Sequence, residues 1–194
     1  MQMAKKQDFK PDRLGGGLLS KLYLTKKQRT FLLKWFLYGL MLVVLSVLQD
    51  VIFSRVRVYG ATTELVPCGI FLICVLEGAE RGSVFALVAS LAYLFSGTAP
   101  GIYAVVLITF LGTFVAMFRQ GYLQRGFGTA LLCTTVAMFL YELCVFAMVL
   151  FFGLTRADRI LGFCITAGLS VLAVPVLYPV SLSIGTIGGN PWNE

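Results

Sequence analysis

The chain has no histidine anywhere in its 194 residues. That absence excludes a Ser-His or Cys-His nucleophile pair, which needs imidazole to take up the nucleophile's proton. It also excludes His-Glu-x-x-His zinc sites and haem or copper ligation through imidazole. No Gly-x-x-x-x-Gly-Lys-Ser/Thr loop occurs, so the chain holds no Walker-type cradle for nucleotide phosphates. Charge is scarce as well. Only 13% of the residues are charged, where a soluble domain carries about 25%. The five cysteines, Cys68, Cys74, Cys133, Cys144 and Cys164, all lie in apolar stretches and form no Cys-x-x-Cys pair. Neither a disulfide framework nor a zinc site is indicated, and small apolar packing residues are the plain reading.

What is present is apolar. Hydrophobic residues make up 58% of the chain, more than one soluble domain of this length can hide from water. A bilayer removes the difficulty, because lipid replaces water against the outer helix faces. The expectation is an all-α integral membrane protein built as a bundle of six transmembrane helices.

The spans are placed at about 30–53, 60–78, 81–96, 101–118, 127–154 and 160–185. The first has no charge between Lys34 and Asp50, with Trp35, Phe36 and Tyr38 as interfacial anchors near its start. The second is the least regular: Leu65–Leu76 alone is too short to cross, and Glu64 and Pro67 fall in its opening turns. From Gly82 to Phe118 there is no charge. That is too long for one helix, and Ser96-Gly97-Thr98-Ala99-Pro100-Gly101 supplies the turn between two. Arg119–Gly126 reads as a basic loop, Thr155–Arg159 as a charged one. Pro175 and Pro179 are expected to kink the sixth span.

Residues 1–29 read as a basic cytoplasmic tail, with Leu18–Arg29 either a short interfacial helix or a linker. About thirty mostly polar residues precede the first apolar run, more than the n-region of a cleaved signal peptide holds. Residues 186–194 form a short polar tail. Nine of the 16 Lys and Arg lie between Lys5 and Lys34. With Arg81, Arg119 and Arg125 they place twelve basic residues on the side of the N-terminus. Arg55, Arg57, Arg156 and Arg159 place four on the other. The positive-inside rule then puts both termini in the cytoplasm. Basic residues directly before an apolar run suit anionic lipid, not nucleic acid.

Few polar residues lie at depth. Glu142 is midway along the fifth span, with Thr135 on the same helix face. It reads either as a ligand, proton or partner contact, or as a buried carboxyl bonded to a carbonyl or hydroxyl. Gln49, Asp50 and Glu64 meet the outer surface, as a functional polar cluster or as ordinary headgroup-level charge. Glu77, Glu80 and Arg81 read as a solvated cytoplasmic turn. Small residues recur at four-residue spacing: Gly82, Ala86 and Ser90; Gly112 and Ala116; Gly162, Thr166 and Ser170. Such stripes let helices approach closely, within the bundle or against a partner's helix.

The stretch Thr63–Tyr103 resembles the MreD family, the rod-shape-determining membrane proteins of bacteria. The resemblance is carried by Glu64-Leu65, the apolar run to Leu76, Arg81-Gly82, Ser90-Leu91-Ala92-Tyr93-Leu94-Phe95-Ser96-Gly97 and Gly101. Gln49 also matches the family's usual residue near the end of the first span. Tyr93 stands where the family commonly has Asp, and Thr63 where it has Pro. The resemblance implies a non-enzymatic scaffold without cofactor or metal. It would act with MreC and, through it, with the actin-like MreB, RodA and a class B penicillin-binding protein in lateral cell-wall synthesis. It also implies a fold similar to the substrate-binding S component of energy-coupling-factor transporters. On that footing Gln49, Asp50, Glu64, Tyr93 and Glu142 are candidate partner or ligand contacts. Two other readings stand beside it: a vitamin-binding S component using Glu142, and an enzyme on a lipid-linked substrate using Glu142 or Asp50 as acid or base.

Overall fold

The computed structural model describes residues 26–53, 55, 61–123 and 126–187. The basic tail as far as residue 25, Arg57, Arg125 and residues 188–194 lie outside the described residues. No strand occurs among the described residues. Helix α1 is Lys26–Leu48 and continues into a wider π turn, Gln49–Phe53. Then come α2 (Leu65–Glu77), α3 (Ala79–Phe95), α4 (Ile102–Tyr122) and α5 (Phe127–Phe151). A 3-10 turn, Ala157–Arg159, leads into α6 (Ile160–Val171), and α7 (Val174–Gly185) follows.

Among the described residues, three helical stretches are long and apolar enough to cross a membrane: Gln28–Phe53, Ile102–Tyr122 and Phe127–Phe151. The broken pair α6–α7, bent by 46°, makes a fourth if taken as one span. The bend falls at Leu172 and Ala173, just before the two prolines expected to kink this span. Pro175, near the start of α7, has no N–H to give the Val171 carbonyl, so the ladder breaks one turn upstream of it. Pro179 sits inside α7 and the helix runs on past it.

A short apolar helix is the centre of the molecule. Helix α2 has 13 residues and spans about 20 Å at 1.5 Å per residue. Every residue from Leu65 to Leu76 is buried. It packs against α1, α3, α4, α5, α6 and α7. A helix that is apolar on all sides is stable only when surrounded, and here other helices, not lipid, surround it. The remaining helices bury one stripe each. On α1 and the π turn after it the stripe is Lys34, Tyr38, Met41, Leu42, Leu45 and Gln49; on α4 it is Ala104, Ile108, Leu111, Gly112, Val115, Ala116 and Arg119. Their outer faces carry exposed Phe36, Val43, Phe95, Val106, Phe110 and Leu161. Polar outer faces are what a helix in water would show; apolar ones suit lipid.

Lipid tails are as apolar as leucine, so burial alone does little to press such helices together; close packing and hydrogen bonds must do so. The small residues serve this within the bundle. A Cβ on Gly82 would lie 2.9 Å from Cys74 Cα, and one on Gly112 3.2 Å from Cys74 Sγ. Ala86, Ser90 and Ala116 are fully buried. The stripes on α3 and α4 are therefore the faces that close on α2 and on each other. On α6, Ser170 and Thr166 are buried, while Gly162 has open space where a Cβ would stand.

Candidate functional site

A buried helix of this length leaves unpaired backbone N–H groups at one end and carbonyls at the other. The deep polar side chains collect at these two ends. At the start of α2, Gln49 Oε1 accepts the Val66 amide at 3.0 Å, and Ser170 Oγ accepts the Glu64 amide at 2.8 Å. The Ser170 hydroxyl in turn donates to the Thr166 carbonyl at 2.8 Å. The π turn after α1 is what carries Gln49 to this position. At the other end the Arg119 guanidinium donates to the Val75 and Leu76 carbonyls. The basic loop expected at Arg119–Gly126 is corrected accordingly. Helix α4 runs on to Tyr122 and Arg119 is buried, because the last carbonyls of α2 need donors that the apolar bundle otherwise lacks.

Beside Arg119's partners lies an ion pair. Lys34 Nζ stands 2.7 Å from each oxygen of the Glu77 carboxylate. The Tyr38 hydroxyl donates to Glu77 Oε1 at 2.7 Å and lies 3.2 Å from the Ser181 carbonyl. The expected solvated turn at Glu77 is thus a second correction. Its side chain is 1% exposed, while Glu80 and Arg81 are exposed. Gly78, at φ 89°, makes a left-handed step that L side chains avoid. It reverses the chain within one residue, so that α3 begins at Ala79 and Glu77 turns back onto α1. Gly185 on α7 leaves room for this cluster, since a Cβ there would come 3.2 Å from the Tyr38 hydroxyl.

The residues singled out from the sequence meet at the opposite end. Tyr93 is buried, and its hydroxyl points to the Thr98 carbonyl at 3.4 Å, tying α3 to the turn before α4. Gln49, Glu64, Glu142 and Asp50 are close enough to act on it electrostatically. Gln49 is buried and Asp50 exposed, so the pair divides between core and surface. Thr135 does not join them: its hydroxyl donates to the Leu131 carbonyl at 2.7 Å within α5.

Glu142 is 3% exposed, and among the described residues its Oε1 has no hydrogen-bond partner. Glu64 Oε2 and the Tyr141 hydroxyl are buried and unpartnered in the same sense. The Glu64 and Glu142 side chains both line a cavity of about 860 Å³. Its walls come from the segment before α2 (Ala61, Thr62), from α5 (Val149), and from the turn into α6 (Thr155, Asp158, Arg159) with Gly162 and Thr166 beyond. This size is that of a small-molecule site. No group of three or more His, Cys, Asp or Glu that could hold a metal ion occurs among the described residues.

Sequence reading missed Lys34, Tyr38, Glu77 and Arg119 as a cluster. The available cue was topological: in a bundle of alternating direction the start of α1 and the ends of α2 and α4 meet at one end. Family models, characterised proteins and solved structures were all compared with this chain, and none of them matches it.

Proposed function

We propose that this protein is a non-enzymatic membrane scaffold of the MreD kind, acting in lateral cell-wall synthesis through helix contacts with an MreC-like single-span partner. In this reading six segments cross the bacterial inner membrane, with α6–α7 as one broken span and both termini cytoplasmic. The observation that carries it is where the family-like stretch lies. Thr63–Tyr103 is the fully buried α2, the whole of α3 and the turn into α4, so the resembling residues form the axis of the bundle and its tightest neighbour. Lys34, Glu77, Arg119 and Gly185 share one end of the bundle and Glu64, Tyr93 and Ser170 the other, which supports the alternating direction that N-in topology requires. The Lys34 end is then cytoplasmic, next to the basic tail.

The test is co-expression with the MreC-like protein of the same bacterium. A stable complex in mild detergent and loss of rod shape on depletion are expected. Rod shape retained after depletion, with no complex in detergent or nanodiscs, would refute the reading. A second reading is favoured by the cavity at Glu142: a small-molecule-binding subunit similar to an S component. A ligand released from the purified protein and identified by mass spectrometry would select it.

A further inference from the structure

The cavity between α5 and α6 has features that a merely structural polar cluster lacks. Its inner wall presents two carboxyl groups, and each keeps one buried oxygen without a partner among the described residues. A carboxylate at membrane depth is expected to be paired. Two carboxyls alone make a poor divalent-cation site, and among the described residues no third His, Cys, Asp or Glu groups with them to hold a metal ion. The opposite wall belongs to the start of α6. Arg159, one residue before that helix, is exposed and forms no ion pair among the described residues. Val149 lies seven positions after Glu142 on α5, and Thr166, on α6, seven positions after Arg159, all four lining the cavity. Each interval is about 10 Å of helix. The space therefore runs from an acidic base to a mouth that holds a cation.

We propose that this cleft binds a zwitterionic molecule, its primary ammonium between Glu64 and Glu142 and its anionic group at Arg159. An ammonium offers three donors. The two carboxyl groups and a Thr62 or Thr166 hydroxyl on the wall supply three acceptors. A quaternary amine offers no donor, and a guanidinium brings five in a plane, more than the wall can match. Arg159 suits phosphate or carboxylate, with the first amides of α6 beside it. Asp158 next to it leaves the mouth itself balanced in charge. The chemistry has two sources, a phosphatidylethanolamine headgroup or a water-soluble zwitterion. Leu154 and Leu161 at the mouth, 77% and 70% exposed, provide the apolar flank that an acyl chain would need. The inference rests on the cavity alone and holds for a scaffold and for a binding subunit alike.

Native mass spectrometry of the delipidated full chain tests it. The probes are phosphatidylethanolamine, phosphatidylcholine and phosphatidylglycerol at equal concentration, and separately O-phosphoethanolamine in water. Phosphatidylethanolamine is expected to bind about tenfold or more tightly than the other two lipids, through charge-assisted hydrogen bonds that they cannot make. Glu142→Gln and Glu64→Gln should each remove that preference, and the surface change Arg159→Gln should weaken it several-fold. O-phosphoethanolamine binding to wild type but not to Glu142→Gln would assign a soluble source; preference among lipids alone would assign the headgroup. Equal binding of the three lipids with no binding of O-phosphoethanolamine overturns the proposal. So does a preference that survives in both carboxamide variants. If Glu142→Gln fails to fold, Glu64→Gln, Arg159→Gln and the wild-type lipid series decide.

Discussion

Replacing Lys34 by methionine should be among the most damaging single changes in this protein, and a second change should largely repair it. The Lys34 ammonium lies 2.7 Å from both Glu77 oxygens, and the two side chains are 7% and 1% exposed. Removing the ammonium leaves a carboxylate held by the Tyr38 hydroxyl, in surroundings that cannot solvate it. Breaking a buried pair from one side costs about 3–5 kcal/mol. Glu77→Gln should cost less. The amide keeps an acceptor for Tyr38, and Lys34, near the start of α1, can stretch its charge toward the membrane surface. With both changes made, no uncompensated charge is left, and the double variant should lie within about 1–2 kcal/mol of wild type. The cycle should thus give a coupling energy of about 2–4 kcal/mol. The assay is thermal unfolding in detergent, followed by a thiol-reactive dye. Cys68, Cys74 and Cys133 are buried and react only on opening, while exposed Cys164 sets the baseline. At about 2–4 °C per kcal/mol for a chain of this size, Lys34→Met should lower the midpoint by about 6–20 °C. Additive single effects, with coupling below about 0.5 kcal/mol, would refute the idea that the pair is buried and mutually dependent.

Three further outcomes follow from the same packing. Gln49→Leu leaves the Val66 amide of α2 without its acceptor and should cost about 1–2 kcal/mol, a typical value for hydrogen bonds between membrane helices; the dye midpoint in detergent measures it. Gly82→Val should fail to give folded protein, or lower that midpoint more than Gly162→Val does. A Cβ at Gly82 meets the Cys74 backbone, which cannot swing aside, and at Gly162 it meets open space. Cysteines placed at Thr98 and Arg81 in a chain with its native cysteines removed should label from opposite faces of the membrane, Thr98 from the outside of intact cells; labelling of both from one face would overturn the alternating topology.

The parts of the fold that were legible in the sequence are those governed by lipid. Long apolar runs mark α1, α4 and α5, because a bilayer penalises charge along a helix face exposed to it. The hairpin at Ser96–Gly101 was legible from turn chemistry, and Gly97 at φ 78° bears it out. The parts that were not legible are governed by the inside of the bundle. Helix α2 was the least regular span on sequence because length and flanking charge are measures of lipid contact, and α2 is covered by other helices along its whole buried length. For the same reason Gln49, Glu64, Glu77 and Arg119 were read as headgroup-level or loop residues. A polar residue at the end of an apolar run is compatible with headgroups and equally with the open end of a buried neighbour. The choice between them depends on the length of that neighbour. A central helix of about 20 Å, in a hydrocarbon core of about 30 Å, ends below the membrane surface. Its terminal amides and carbonyls then need side chains from taller helices. Gln49 and Arg119 sit late in the long helices α1 and α4, and Ser170 late in α6, where they can reach those ends. Glu142 meets no such need. It lies on the inner face of α5, where no backbone group requires it and where it lines a cavity, and that is the physical ground for treating it as a site residue and Gln49, Ser170 and Arg119 as structure.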